Sequence, residues 1–138
     1  MIDFQYIENN KLSNTEDLNL WINCVTEEEG MIIGELVYVL CNDEYLLKKN
    51  IQFLNHNILT DVITFDYSED RIISGDILIS TERVVENAKI FNVNYLTELH
   101  RVMVHGLLHL LGYKDKNDKD ANTMREKENY YLNKFTNN

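Results

Sequence analysis

Apolar and polar residues alternate over positions 1–7 (Ile2, Phe4, Tyr6), which predicts a short first strand. Leu18, Trp21, Ile22 and Val25 then recur at helical spacing behind a Ser13/Glu16 pair set as a capping box, and this helix is expected to stop near Gly30. Positions 31–40 (Ile32, Ile33, Leu36, Val37, Val39) are the dense β-branched run of a second strand. Asn42 or Asp43 caps a second helix running towards Leu54, and Asn55-His56-Asn57 is a polar break. Positions 61–67 and 72–80 read as two strands joined in a hairpin by Ser68-Glu69-Asp70-Arg71. A third helix opens at Thr81 with Val84, Val85 and Ala88 on one face and ends around Asn92. Two more helices follow, over 95–111 and over 118–132, the last with Met124, Tyr131 and Leu132 inward. The order predicts an α+β fold with a small mixed four-stranded sheet, packed helices and one central buried helix. With no repeat or linker to divide it, the chain reads as a single domain, residues 1–138.

The chemistry concentrates on that central helix. His105 and His109 are four residues apart, one above the other on a single helix face, as two nitrogen ligands of one divalent ion must be. Val102, Val104, Leu107, Leu108, Leu110 and Leu111 make the helix apolar nearly all round, so two unpartnered imidazoles there carry a desolvation cost. Gly112 suits the left-handed turn that stops a helix, and the reversal is expected to return Asp115 as a third ligand. Three protein ligands with an open fourth position describe a catalytic zinc site, hence a metal-dependent hydrolase. The spacing is similar to that of the metzincin peptidases, but Gly106 stands where those enzymes carry the glutamate that activates water. A substrate bringing its own charged oxygens, such as a phosphodiester, fits better.

Composition adjusts this picture at the edges. The chain has 138 residues, 44% hydrophobic and 26% charged, long enough to bury a core without staples. No apolar run is long enough to span a bilayer, so no membrane partner is expected, and the acidic N-terminus lacks the basic region of a secretory signal. Cys24 and Cys41 read as two reduced thiols in or near the core of a cytosolic protein. A net charge of −10 argues mildly against a nucleic-acid partner held through phosphates, unless the basic surface is local.

The segment His105-Gly106-x-Leu108-His109-Leu110-x-Gly112-Tyr113 resembles the signature of the YbeY family of metal-dependent endoribonucleases, also called rRNA maturation factors. Thr60-Asp61-Val62-Ile63-Thr64-Phe65, Gly75-Asp76-Ile77, the Glu98-Leu99 lead-in, and Met124 with Glu128 look like further motifs of that family. The resemblance implies a zincin-like fold, one Zn2+ per chain, and hydrolysis of single-stranded RNA in rRNA 3′-end maturation and ribosome quality control in the bacterial cytoplasm. It also implies ribosomal RNA, the ribosome or ribosomal proteins as partners, with no DNA expected. His105, His109 and Asp115 are then the metal and catalytic residues. Two departures stand out. The family's third ligand is usually histidine where this chain has Asp115, an oxygen donor that lowers the site's charge by one. The family's usual arginine before the T-D-V strand corresponds to Leu54.

Lys114, Lys116 and Arg101 are as much ordinary solvated cations as partners for phosphate. His100 lies well round the helix and is not expected to be a ligand. His56 is within reach of a cleft, though a lone loop histidine is more often plain surface. Asp61 and Asp76 are candidates to orient the ligands or hold the loop after Gly112, and Tyr113 reads as packing. Two rivals remain at this stage: a metallopeptidase on the same scaffold, disfavoured by Gly106, and a non-catalytic ribosome-associated metal-binding protein, kept alive by Leu54.

Overall fold

The computed structural model describes residues 1–9 and 11–136. The chain forms β1 (Ile2–Tyr6), α1 (Thr15–Glu28), β2 (Ile32–Cys41), α2 (Asp43–Leu54), β3 (Val62–Asp66), β4 (Ile72–Ser80), α3 (Thr81–Phe91), α4 (Tyr95–Leu110) and α5 (Asp118–Thr136). The four strands make one sheet in the order β1-β2-β4-β3, with β1–β2 and β2–β4 parallel and β3–β4 antiparallel. This is the mixed four-stranded α+β arrangement that the element order predicts, including the β3–β4 hairpin.

Side-chain alternation sorts the sheet into two faces. Leu36, Tyr38 and Leu40 of β2 and Ile73, Ile77 and Ile79 of β4 join the main core with Leu18, Trp21 and Ile22 of α1, Met103 and Leu107 of α4, and Met124 and Tyr131 of α5. The intervening Val39, Cys41, Leu78 and Ile63 pack against Leu46 of α2 on the other side. Strands covered on both faces need apolar residues at nearly every position, which is why β2 reads as a continuous run. Cys41 is buried there, whereas Cys24 is exposed on α1, so only one thiol belongs to the core.

Helix α4 runs through the middle of this packing. Leu99, Met103, Val104, Leu107 and Leu108 are fully buried, and Tyr38 donates its hydroxyl to the Met103 carbonyl at 3.0 Å. Gly106 sets how closely the helix approaches the sheet: a Cβ there would lie 2.7 Å from Ile77 Cγ2.

Two local expectations need correction. The Ser13/Glu16 capping box does not form; α1 begins after Asn14, whose side chain makes no capping bond, so burial of Leu18, Trp21 and Ile22 holds this helix rather than its cap. Val85 does not share the buried face of Val84 and Ala88; it is 39% exposed, one position round the helix. The α2 cap resolves to Asn42, which accepts from the Tyr45 amide at 2.8 Å.

Candidate metal centre

His105 and His109 face the same way from the last two turns of α4, each partly exposed. The helix then ends in a Schellman turn: the Gly112 amide donates to His109 O, the Tyr113 amide donates to Leu108 O, both at 3.0 Å, and Gly112 adopts φ +106°. That turn carries Asp115 back over the histidines. His105 Nε2 and His109 Nε2 are 3.0 Å apart, and each lies 3.4 Å from Asp115 Oδ2.

These distances test whether a metal fits. Four tetrahedral ligands bonded at about 2.0–2.1 Å lie about 3.4 Å from one another, so the triangle has nearly the dimensions of one face of such a site. His105, His109 and Asp115 are the group of side chains among the described residues that could hold a metal ion. Two nitrogens and one carboxylate oxygen suit zinc and related divalent ions.

Each histidine is aimed by a bond from its other nitrogen. His105 Nδ1 meets Glu128 Oε2 at 2.7 Å, and His109 Nδ1 meets the Tyr113 carbonyl at 3.0 Å. A carbonyl only accepts, so His109 carries its proton on Nδ1 and leaves the Nε2 lone pair towards the triangle; the carboxylate selects the same tautomer of His105. Glu128 is itself buried and receives the Arg101 guanidinium at 3.1 Å. Burial pulls the His105 imidazole down, but the hydrogen bond and charge of Glu128, with Asp115 and Asp61 nearby, outweigh it and leave His105 above its ordinary pKa. The same pairing holds Glu128 below the usual carboxylate range despite its desolvation.

The loop carrying Asp115 is anchored from beneath. Glu29, just past the end of α1, accepts from the Tyr113 hydroxyl at 2.6 Å, from Lys127 at 3.1 Å, and from the Tyr131 hydroxyl. Tyr113 therefore packs, as expected, and its carbonyl orients His109 as well. Neither Glu29 nor the Glu128–His105 bond shows in the local pattern, because their partners are 84 and 23 residues away. The signals that could find this carboxylate are the resemblance of Met124 with Glu128 to a family motif and the i+3, i+4 placement of Glu128 beside Met124 and Tyr131 on the buried face of α5.

The triangle lies in an open cavity of about 680 Å³ between α4, α5, α3 and the β3 edge. His56, Leu54, Asp61 and Arg101 border it, whereas Lys114 and Lys116 do not. Of the three candidate cations only Arg101 reaches the site, and it is engaged by Glu128 and by Asn129 at 2.9 Å. Asp76 also departs from expectation: it lies on the opposite face of the sheet, 3.3 Å from the Tyr67 hydroxyl, and holds neither ligand nor loop. Asp61 is beside the site, with Asn87 donating to it at 3.3 Å. His100 points away, between Trp21 and Phe135.

A model of the family described as Endoribonuclease YbeY matches residues 4–136. The Endoribonuclease YbeY of Flavobacterium johnsoniae is 50% identical over 128 residues, covering 93% of this chain and 92% of that protein. That of Flavobacterium psychrophilum is 48% identical over 135 residues, covering 98% and 96%. The solution structure of TM1509 from Thermotoga maritima superposes with a TM-score of 0.71 at 29% identity, over 98% of this chain and 89% of that one. A family match that spans the helical histidines, the turn and the closing helix alike places this chain within the YbeY endoribonuclease family.

Proposed function

We propose that this chain is an endoribonuclease that cuts single-stranded RNA, with ribosomal RNA in the cytoplasm as its substrate, at a zinc ion held by His105 Nε2, His109 Nε2 and Asp115 Oδ2. The observation that carries this reading is the triangle of three ligand atoms at 3.0, 3.4 and 3.4 Å opening onto a cavity of about 680 Å³. An ion of this kind, when bound, supplies acidification of water and polarisation of a phosphoryl oxygen.

The chain's own residues do the rest. Glu128 and the Tyr113 carbonyl hold the two rings in the tautomer that leaves Nε2 free, so little ordering remains for binding to impose. Asp115 adds a negative charge where the family usually has a neutral ring, which favours harder divalent ions more than a three-histidine set does. Arg101, at the cavity wall, is engaged by Glu128 and holds that carboxylate behind His105.

The metallopeptidase alternative meets a steric objection at Gly106. Any side chain there is driven into Ile77, so the position that holds the water-activating glutamate in those enzymes is closed by helix–sheet packing. Incubating the metal-loaded chain with a single-stranded RNA, its duplex and casein tests the proposal. Cleavage of the single strand alone is expected, lost in His109→Ala while the melting curve of the metal-free protein stays put. Retained RNA cleavage in that variant removes the site assignment.

A further inference from the structure

The cavity continues past the metal triangle, and its far wall is chemically different. Glu98 lies seven residues before His105 on α4, two helical turns or about 10 Å along the axis. It is 3% exposed, borders the cavity, and its Oε1 has no hydrogen-bond partner. Arg101 Nε, at 3.8 Å, pairs with it in charge but is beyond hydrogen-bond distance. Across the same space, Phe91 at the end of α3 also borders the cavity and is 53% exposed. A buried acceptor left without a donor is unfavourable, and Phe91 offers an exposed aromatic face on the same cavity. An unpartnered acceptor and an aromatic face lining one cavity describe a binding subsite.

Charge indicates the occupant. Asp61, Glu98, Asp115 and Glu128 border the cavity against Arg101 and Arg125, both of which reach Glu128, at 3.1 and 3.8 Å. On a chain of net charge −10, such a wall does not grip a strand by its phosphates. It suits the part of a nucleotide that carries donors and a π-face.

We propose that this end of the cavity is a nucleobase subsite, with Phe91 as the stacking surface and Glu98 as the acceptor that reads the base edge. The inference rests on the endoribonuclease reading for its choice of ligand. Guanine presents two adjacent donors, N1–H and the N2 amino group, to a carboxylate. Uracil presents one N–H between two carbonyls that the carboxylate repels. The subsite therefore selects an unpaired guanine close to the metal triangle. It also favours single strands, because in a duplex the edge and face that Glu98 and Phe91 need are already occupied.

The test is the binding of labelled UUUUU and UUGUU pentaribonucleotides to the metal-free full-length chain by fluorescence anisotropy. The guanine-containing strand is expected to bind about tenfold more tightly. Glu98→Gln, which keeps the shape but replaces one acceptor by a donor, is expected to bring that ratio close to one. Phe91→Ala is expected to weaken the guanine strand by about tenfold, and Phe91→Trp to retain it. Equal affinity for both strands, or a ratio that survives Glu98→Gln, overturns the proposal. Should Glu98→Gln fail to fold by circular dichroism, the exposed Phe91→Ala decides: unaltered affinity overturns the subsite. Cleavage measured in parallel with metal added separates the two readings. Cleavage without base preference leaves the nuclease assignment standing and removes the subsite; base preference without cleavage does the reverse.

Discussion

Helix α4 carries three histidines, and its two sides treat them in opposite ways. His100 is 8% exposed between Trp21 and Phe135, its Nε2 unpartnered, and burial pushes its pKa down to about 4. His105, five residues on, has its Nδ1 on Glu128 and its pKa is raised, although burial pulls in the same direction as for His100. The side chains are identical and the helix is continuous. What differs is the facing element: α1 and the end of α5 present aromatic rings to His100, whereas the middle of α5 presents a carboxylate to His105. Burial alone makes a histidine a neutral core residue; burial with a charged acceptor on one nitrogen frees the other for chemistry.

The largest test of this contrast removes the histidines themselves. His105→Ala is expected to lower RNA cleavage on the order of a thousandfold and to lose the bound metal, whereas His100→Phe is expected to leave both intact. Rate measurements with elemental analysis of the purified variants check this. Metal retained by His105→Ala breaks the contrast.

The next test is pH. His100 stays neutral in the fold down to about pH 4 but takes up a proton in the unfolded chain below about 6.5, so the unfolded state binds more protons between these values. Stability is therefore expected to fall by about 3 kcal/mol as pH drops through that window. Urea melts of His100→Phe are expected to show a shallower loss over the same range. An unchanged slope places the acid sensitivity elsewhere.

Glu128→Gln sharpens the comparison from the other side, since it keeps the shape and removes the charge. Metal affinity, read by calorimetry, is expected to fall about 10- to 100-fold. The smallest effect is expected at Gly106, between the two faces. Gly106→Ala adds helix propensity but drives a methyl group against Ile77, so a net destabilisation of about 1–2 kcal/mol is expected in denaturant melts. A stabilised variant there means that the sheet gives way more readily than the 2.7 Å approach implies.

Particular residues show how far local pattern carries. The strands, the helices and the pairing of His105 with His109 follow from spacings of two, three and four residues, and Gly112 is recognisable as a stop because few other residues accept its backbone angle. The Ser13/Glu16 box was an equally local cue that failed, because tertiary burial of α1 set the helix start without it. Asp61, just before β3, and Asp76, on β4, look alike in the pattern, yet pairing of β3 with β4 leaves one beside the cavity and the other across the sheet.

The amino-acid sequence alone determined the elements, the apolar central helix, and the order histidine, histidine, turn, carboxylate. All of these arise from interactions within a few residues, whose geometry any regular helix or turn reproduces. Only the tertiary structure decided that Glu128 aims His105, that Glu29 pins the returning loop through Tyr113, that Gly106 is a contact with Ile77, and that Glu98 and Phe91 share one cavity. Each of these joins groups on separate elements. Which groups meet depends on how those elements pack, and no spacing along the chain encodes that.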